Sequence, residues 1–474
     1  MATECTQKHF GFHPLQTREV VAQFDGGRIT TDGGALLLRE VERRTGIIRQ
    51  FAGCFTDHRD PDLIEHTVED LVGQRVYGLA LGYEDVNDHD ELRHDPMLAA
   101  VAGKSDPTGS DRIRGRDKGK ALAGKSTLNR LELTPKDATS ESRYKKIVVD
   151  FEAVERLLVK VFLAAHPKAP EKIILDLDAT DDPLYGNQEG RFFHGYYQNY
   201  CYLPLYIFCG EFVLCAKLRP ANIDASEGAV QELERIVREI RQVWPEVQIE
   251  IRADSGFCRE EMMSWCEGND VGYVLGLAKN ARLVAELEAE LQWAKDRFEE
   301  THEAARTFKD FTYQTRESWS RARRVVGKAE HLSKGANPRF VVTSRSAAEV
   351  DARSLYEDVY CARGDMENRI KEQQLYLFAD RTSTATMRGN QIRLWFSSVA
   401  YLLMQGLRRL GLKDTPLEKA QCQTIRLKLL KIGALIRVTV RRFWVSLAEG
   451  YPYKELFATV YENLRRAVAF PLRC

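Results

Sequence analysis

The sequence predicts an α/β fold in which a mixed five-stranded sheet is flanked by helices. The first observation is a series of short apolar runs, several with a two-residue period, which is typical of strands. The second is an amphipathic helix, predicted at 225–244, between the third and fourth runs. The strands are predicted, in chain order, at 173–177, 202–208, 212–218, 247–251 and 271–277. The second and third form a hairpin that turns at Gly210.

Acidic residues mark the ends of two of these strands and one later helix. Asp176 and Asp178 share a face of the first strand, and Asp254 follows the fourth. Carboxylates are rarely buried without a partner, so these favour a metal or acid–base site, with a turn-capping role as the alternative. A helix predicted at 360–377 carries polar residues three or four positions apart, namely Tyr360, Arg363, Glu367, Lys371 and Gln374. A solvent-exposed salt-bridge ladder also explains that spacing.

This order of elements is that of an RNase H-like core. In that layout the first Asp lies on the central strand, the second follows the fourth strand, and a Glu comes from a helix packed against the sheet. Hydrolysis of a phosphodiester needs a nucleophile made from water and a counter-charge for the developing oxyanions, which two divalent ions about 4 Å apart supply. Mg²⁺, with Mn²⁺ as a substitute, prefers carboxylate oxygens.

Three motifs carry a resemblance to known proteins. They are 177–180 (Leu-Asp-Ala-Thr) with 185–190, then 252–257 (Arg-Ala-Asp-Ser-Gly-Phe), and finally 360–371. Further similar stretches occur at 82–85, 92–96 and 323–326 and in the C-terminal region. On these motifs the chain resembles the DDE transposases of bacterial insertion sequences. It is most similar to the family numbered thirteen-eighty, a relative of the group with a Tyr-x-x-Arg-x-x-x-Glu-(six)-Lys signature.

The resemblance implies a catalytic site and its supporting residues. The residues that it implies as catalytic ligands of two Mg²⁺ ions are Asp178, Asp254 and Glu367. Those implied as supporting residues near the DNA backbone are Tyr360, Arg363 and Lys371. Asp178 is preferred because it stands in an Asp-x-Thr context, while Asp176 stays possible as a supporting residue. The signature's last Lys would fall at Gln374, so either Lys371 takes over a phosphate contact or that contact is dispensable.

Composition and resemblance together predict five segments. They are a mostly helical DNA-binding region at 1–165, the first part of the core at 166–279, an insertion subdomain at 280–355, the second part of the core at 356–415, and a basic region at 416–474. The insertion is expected to be β-rich and separate from the central sheet. After Asp414 there are eleven Lys or Arg residues against four Asp or Glu residues. That excess favours a polyanionic partner, with a solvated basic face as the alternative.

Six side chains outside the core are candidates for DNA contacts, namely Trp319, Arg323, Arg324, Arg437, Arg441 and Arg442. Trp319 could stack on an extruded base, and burial in the subdomain core is the alternative. The alternation of apolar and basic residues over 436–441 predicts a strand with a basic face.

Two further motifs point to simpler roles. Residues 119–126 match the phosphate-loop pattern G-x-x-x-x-G-K-S, but that loop needs a buried strand before it and the preceding residues are charged. We therefore expect Ser126 or Thr127 to cap a helix, and no nucleotide cofactor. The run 83–96 is rich in Asp, Asn and His, and helix caps and turns explain it better than a metal site.

Global composition names no partner, because 69 Lys and Arg residues balance 69 Asp and Glu residues. Ten scattered cysteines without a CxxC pair, no signal peptide and no apolar run near 18 residues predict a reduced, cytoplasmic, nucleoid-associated protein. The function predicted is cut-and-paste transposition by a dimer on DNA, which binds terminal inverted repeats and transfers a 3′-hydroxyl end into target DNA. A structure-selective nuclease and a non-catalytic DNA-binding descendant are the alternatives.

Overall fold

The computed structural model describes residues 9–467. These residues divide into two compact units. The first unit comprises residues 9–148 and 406–467, and the second comprises residues 149–405. The N-terminal and C-terminal regions, which the sequence treats as separate segments, therefore belong to one unit.

The N-terminal part of the first unit is mainly helical, but it opens with strands. Its strands are β1 Phe10–Leu15, β2 Arg18–Ala22, β3 Arg28–Thr30, β4 Phe55–Asp57 and β5 Ile147–Val149. Its helices are α1 Ala35–Thr45, α2 Ile47–Ala52, α3 Val68–Leu81, α4 His89–Leu92, α5 Pro96–Val101 and α6 Lys125–Glu132. Helix α1 ends at Gly46, whose φ of 64° lies in the left-handed region that favours glycine.

The second unit alternates strands and helices. Its strands are β6 Lys172–Ala179, β7 Asp182–Pro183, β8 Phe192–His194, β9 Asn199–Tyr202, β10 Leu205–Cys209, β11 Phe212–Lys217, β12 Gln248–Ala253, β13 Val271–Leu277, β14 Ala305–Tyr313, β15 Arg323–Leu332, β16 Gly335–Ala336 and β17 Arg339–Thr343. Its helices are α7 Phe151–Ala164, α8 Ala229–Val243, α9 Glu260–Gly268, α10 Ala281–Glu286, α11 Glu288–Thr301, α12 Ala352–Ser354, α13 Gly364–Leu377 and α14 Met387–Leu410. Residue 405, the last of this unit, lies within α14.

The C-terminal part of the first unit adds β18 Ala434–Val438, β19 Phe443–Leu447, α15 Cys422–Ile425 and α16 Lys454–Arg466. Strand β18 pairs with both β19 and β3 in a three-stranded sheet. The strand predicted over 436–441 ends earlier, at Val438, because residues 439–442 form a tight turn in which Thr439 N–H bonds to the Arg442 carbonyl at 2.9 Å. Val440 in that turn is fully exposed.

The predicted mixed sheet is confirmed, but it has nine strands and not five. Eight of them lie in the order β11–β10–β6–β12–β13–β17–β15–β14, and β16 pairs with β15. Strand β6 pairs in parallel with β12, and β12 pairs in parallel with β13, whereas β10 and β11 form an antiparallel hairpin at Gly210. Strands β10 and β12 are buried along almost their whole length, as expected for central strands covered on both faces. Phe162 of α7 packs against Phe212 of β11 and Trp244 after α8.

The expectation of a separate insertion subdomain is wrong in one respect, because its strands extend the central sheet. Strand β17 pairs antiparallel with β13, and β15 and β14 follow it. Without β17, strand β13 would present an edge of unpaired backbone groups, which proteins avoid. The insertion also begins with helices before its strands: α11 ends at Thr301, His302 adopts a φ of 58°, and strand β14 begins three residues after His302.

Among residues 9–467, no helix is both long and apolar enough to cross a bilayer. Eight of the cysteines lie in this part of the chain and none forms a disulfide, while Cys5 and Cys474 lie outside the described residues.

Candidate catalytic site

Two of the predicted carboxylates lie side by side at the end of the parallel strand pair. Leu177 of β6 is paired in register with Ala253 of β12. Asp178 and Asp254 are therefore the next residues on the two strands, and both lie at the carboxyl edge of the sheet. Asp178 accepts a hydrogen bond from its neighbour Ala179 N–H, and Asp254 accepts one from Gly256 N–H, both of 2.9 Å. These local bonds hold the carboxyl groups at the edge.

The third carboxylate, Glu367, is brought to the same place by helix α13. Arg363 links it to the strands, because its guanidinium lies 2.7 Å from Glu367 and 3.6 Å from Asp178. One part of the helical salt-bridge ladder is therefore present, but its other member, Lys371, has no carboxylate within ion-pair distance among residues 9–467. Lys371 is exposed beside the site.

The three carboxyl groups interact electrostatically. Burial, reinforced by the negative charges of Asp254 and Glu367, raises the pKa of Asp178 to about 7. Arg363 opposes that change, because its positive charge favours the ionised carboxylate. A carboxylate whose charge is this disfavoured is more often found at a functional site than on an ordinary surface. The site holds more negative charge than one arginine can compensate.

The carboxylates face a common cavity of about 580 Å³, here called the carboxylate cavity. Its lining comes from the ends of both strands, from helix α13 and from an aromatic hairpin, namely Asp178, Ala179, Thr180, His194, Tyr196, Tyr197, Leu203, Ala225, Asp254, Ser255, Gly256, Phe257, Arg363, Glu367, Ile370, Lys371 and Gln374. The hairpin residues are not among those predicted from the sequence. Their signal was the unusual density of aromatic residues at 192–200.

Oxygen donors of this kind suit a hard divalent cation. In the part of the chain that the structure describes, no group of three His, Cys, Asp or Glu side chains stands close enough to hold a metal ion as arranged. Arg363 lies between two of the carboxylates instead. Burial is the main cause of the raised pKa of Asp178, and a divalent cation beside its carboxyl group would favour the ionised form. The donor chemistry therefore fits such a cation.

Asp176 has a different role from its neighbour on the same strand. Its carboxylate accepts two hydrogen bonds, each of 2.7 Å, from the guanidinium of Arg252, and both side chains are buried. Arg252 also donates to the Val359 carbonyl at 2.7 Å. Asp176 does not line the carboxylate cavity. It belongs to a buried ion pair that joins β6 to β12 and joins both to the chain leading into α13.

Tyr360 lies at the end of a π-helical segment, Leu355–Tyr360, which is followed by one 3₁₀ turn, Cys361–Arg363, before α13 begins. Such interruptions of an α-helix are frequent at functional sites. Gly276 of β13 makes room for the Tyr360 ring, because a Cβ there would lie 2.5 Å from the Tyr360 hydroxyl and 2.9 Å from Ser255 N. The sequence predicts the helix but not this change in its winding.

Gln374, which stands where the signature has lysine, is half-buried and is hydrogen-bonded within the protein. Its amide donates to the Asp181 carbonyl at 3.2 Å and to Asp182 Oδ1 at 3.0 Å. Asp182 is completely buried, and that burial raises its pKa to about 8. A neutral amide beside an uncharged carboxylic acid avoids placing a charge there. Gln374 thus packs against the strand end, while Lys371 keeps its ammonium free.

The three predicted DNA contacts in the insertion are engaged within the protein. Trp319 is only 6% exposed and packs edge-on against Tyr313 at 5.7 Å, so the alternative of core packing describes it better than base stacking. Arg323 is buried between Glu260 and Glu267, at 2.7 and 2.8 Å.

Arg324 pairs with Asp310 and donates to three backbone carbonyls, including that of Val350 at 2.9 Å.

The basic residues of the C-terminal hairpin are exposed. The guanidinium groups of Arg437 and Arg442 lie 6.0 and 5.3 Å from the centre of the exposed Trp444 ring. Arg441 lies in the turn and is exposed. None of these three arginines has a carboxylate within ion-pair distance among residues 9–467.

The phosphate-loop match begins helix α6, but its start is already occupied. The Asp90 carboxylate accepts a hydrogen bond from Lys125 N–H at 3.0 Å and lies 3.4 Å from its ammonium. The expected cap by Ser126 or Thr127 is wrong, because Gly124 is the N-cap residue of α6 and the Asp90 carboxylate accepts the hydrogen bond from its first N–H instead. In the run 83–96, Asp85 and Asp95 cap helical turns, as predicted.

Comparisons with known proteins complete this description. No curated protein matches the chain significantly. Among solved structures, a piggyBac transposase synaptic complex with hairpin DNA matches with 12% identity and a TM-score of 0.39, over 85% of this chain and 81% of that one. That likeness is too low to decide fold or function. The family model described as transposase DDE domain, group 1, matches residues 12–469, so the chain belongs to this family of DDE transposases.

Proposed function

We propose that this protein is a cut-and-paste DNA transposase in which Asp178, Asp254 and Glu367 are the catalytic carboxylates of an RNase H-like core. The observation that carries the proposal is their convergence on one cavity, from two parallel strand ends and one helix. The family supports phosphoryl transfer on DNA as the reaction. The motifs at 177–190, 252–257 and 360–371 support an origin in a bacterial insertion sequence of the group numbered thirteen-eighty.

The residues that would hold divalent cations, Mg²⁺ or its substitute Mn²⁺, are these three carboxylates. When bound, two such ions supply a hydroxide nucleophile from water and a positive charge beside the developing oxyanions. The protein contributes the position of each oxygen ligand. The Asp176–Arg252 ion pair holds the ends of β6 and β12 together. When cations are absent, the positive charge of Arg363 partly offsets the negative charges of the carboxylates.

Lys371 is the residue we assign to the DNA backbone on α13. It is exposed at the cavity and has no carboxylate partner among residues 9–467, so its ammonium is available for a phosphate. Gln374 is not assigned that role, because its amide is bonded to Asp181 and Asp182. Tyr360 and Arg363 support the site from the turns that precede α13.

The rest of the proposed activity concerns DNA ends. The protein would bind the terminal inverted repeats of its element as a dimer, free a 3′-hydroxyl at each end and transfer it into target DNA. The exposed arginines of the C-terminal hairpin, Arg437, Arg441 and Arg442, suit the phosphates of such DNA because no carboxylate neutralises them in the described chain.

The test is cleavage of a plasmid that carries the element with its native ends, in Mg²⁺. Wild-type protein should cut at the element boundaries, and Asp254→Asn should abolish the cuts. Asp270→Asn, an exposed aspartate in the turn before β13, is the matched control and should cut like wild type. Nicking that ignores the boundaries but is lost in Asp254→Asn would replace the transposase with a nuclease. Binding to the ends without any cutting in Mg²⁺ or Mn²⁺ would overturn the catalytic assignment.

A further inference from the structure

A hairpin beside the carboxylate cavity exposes a cluster of aromatic rings. It consists of β8, β9 and the turn between them, residues 192–202, and is here called the aromatic hairpin. Its exposed apolar side chains are all aromatic, namely Phe192, Phe193, Tyr196 and Tyr200, and the tip residue Tyr196 is 84% exposed. Rings exposed to this extent on one short hairpin are costly in water unless they have a partner.

The hairpin is tied to the end of the catalytic strand. The Tyr197 hydroxyl donates to the carbonyl of Ala179, the residue that follows Asp178, at 3.1 Å. Asn199 donates to Asp181 Oδ2 at 2.9 Å. His194 and Tyr196 line the same cavity as the three carboxylates. A group bound at the carboxylates is therefore within reach of the hairpin tip.

The outer face of the hairpin continues this aromatic surface. Phe193 and Tyr200 are cross-strand neighbours, with ring centres 5.5 Å apart. The guanidinium carbon of Arg191 lies over the Tyr200 ring, 3.6 Å from its centre. Arginine stacked on an aromatic ring presents a planar cation that pairs with phosphates and stacks on bases.

From these observations we propose that the aromatic hairpin binds unpaired nucleotides of the DNA strand that enters the carboxylate cavity, with bases stacked on Tyr196 and Phe193. This inference rests on the proposed function, because it takes the cavity to be the site of DNA cleavage. Aromatic rings accept any base by stacking, whereas paired bases in a duplex present no free face. The chemistry therefore favours a single-stranded segment of any sequence. A second copy of this chain is the competing occupant, and the experiment separates the two.

The experiment measures binding of a short labelled oligothymidine by fluorescence anisotropy, in EDTA so that no cleavage occurs. Tyr196→Leu, which keeps the bulk but removes the ring, should weaken binding about 5- to 150-fold, the range expected for one stacked base. Tyr196→Phe should bind within about twofold of wild type, because the ring remains. Trp293→Leu, which removes an exposed ring on α11 that does not line the cavity, is the control and should bind like wild type.

The outcomes are distinct from those of the plasmid assay. Failure of wild-type protein to bind oligothymidine would overturn the inference, as would equal binding by Tyr196→Leu and wild type. A change in the sedimentation of Tyr196→Leu with no change in its DNA binding would assign the hairpin to a contact between copies. If the wild type fails to cut element ends while Tyr196 still controls oligothymidine binding, the proposed function falls and the hairpin assignment stands.

Discussion

Asp176 and Asp178 lie two residues apart on strand β6, yet the same substitution should affect them in opposite ways. Asp176 forms a two-bond ion pair with Arg252, and the two side chains are 8% and 9% exposed. Asp178 faces the carboxylate cavity, where other carboxylates surround it. Replacement by asparagine keeps the shape and removes the charge at both positions. Any difference therefore reports the surroundings and not the size of the side chain.

The magnitudes follow from those surroundings. Asp176→Asn leaves the Arg252 guanidinium buried without a counter-charge, and breaking such a pair costs about 3–5 kcal/mol in the free energy of unfolding. Burial raises the pKa of Asp176 as well, but the two bonds from Arg252 favour its ionised form, and the guanidinium left unpaired sets the cost of Asp176→Asn. For Asp178 the sign is reversed. Its folded pKa, about 7, exceeds its ordinary value of 3.8, so above pH 7 its charge opposes folding. At about 1.4 kcal/mol per pH unit, Asp178→Asn should leave stability unchanged or raise it by up to about 4 kcal/mol at pH 8 without divalent ions.

The assay is urea unfolding at pH 8 in EDTA, followed by tryptophan fluorescence. Five of the six tryptophans lie in the second unit, so the signal reports mainly the unit that contains both aspartates. Asp176→Asn should unfold at lower urea and regain stability when Arg252→Met is added, because the buried charge is then gone. Asp178→Asn should fold normally and fail to cut DNA. Equal urea midpoints for Asp176→Asn and wild type, or a destabilised Asp178→Asn, would refute the division of roles.

Three further outcomes are expected. Gly276→Ala should lower the rate of end cleavage about 100-fold while costing only about 1–3 kcal/mol of stability, because the added methyl displaces the Tyr360 hydroxyl and the backbone that follows Asp254. Cleavage kinetics and urea unfolding on the same preparation measure both effects, and cleavage at the wild-type rate would contradict the prediction. Lys371→Met should weaken binding to all DNA sequences and reduce the slope of log affinity against log salt by about 0.9, as loss of one phosphate contact requires, and an unchanged slope would exclude that contact. Burial alone would raise the pKa of Glu267, but hydrogen bonds, of which that from Arg323 is the strongest, lower it from 4.5 to about 2. The stability that the Arg323–Glu267 ion pair contributes is therefore present above pH 4.5 and is lost as the pH falls towards 2. Arg323→Met should make stability depend less on pH over that range, and an unchanged pH dependence would contradict the contribution of the ion pair.

Much of the second unit could be predicted from the sequence, because its signals are local. The apolar alternation at 173–177 and 247–251 locates β6 and β12, and the turn at Gly210 locates the hairpin between β10 and β11. Once two parallel strands are known, their carboxyl ends must share one edge of the sheet. The placement of Asp178 beside Asp254 follows from strand register, which nearby residues specify.

Other features depended on contacts between residues that are far apart in the chain. Asp176 resembles Asp178 in the sequence, and only the position of Arg252, 76 residues later, separates a structural ion pair from a cavity-facing carboxylate. The sequence makes Arg323 a candidate for a DNA contact, but the fold pairs it with Glu260 and Glu267, which lie more than 50 positions earlier in the chain.

The strands at 305–343 could form a separate subdomain or extend the sheet, because alternation predicts a strand but not its partner. By itself the sequence determined the first strands of the central sheet, the helix at 360–377 and the acidic residues that these elements carry, since those are properties of neighbouring residues. Only the tertiary structure decided which charged side chains are paired, that β17 covers the edge of β13, and that the aromatic hairpin lies at the carboxylate cavity. Those outcomes depend on pairings across the whole chain.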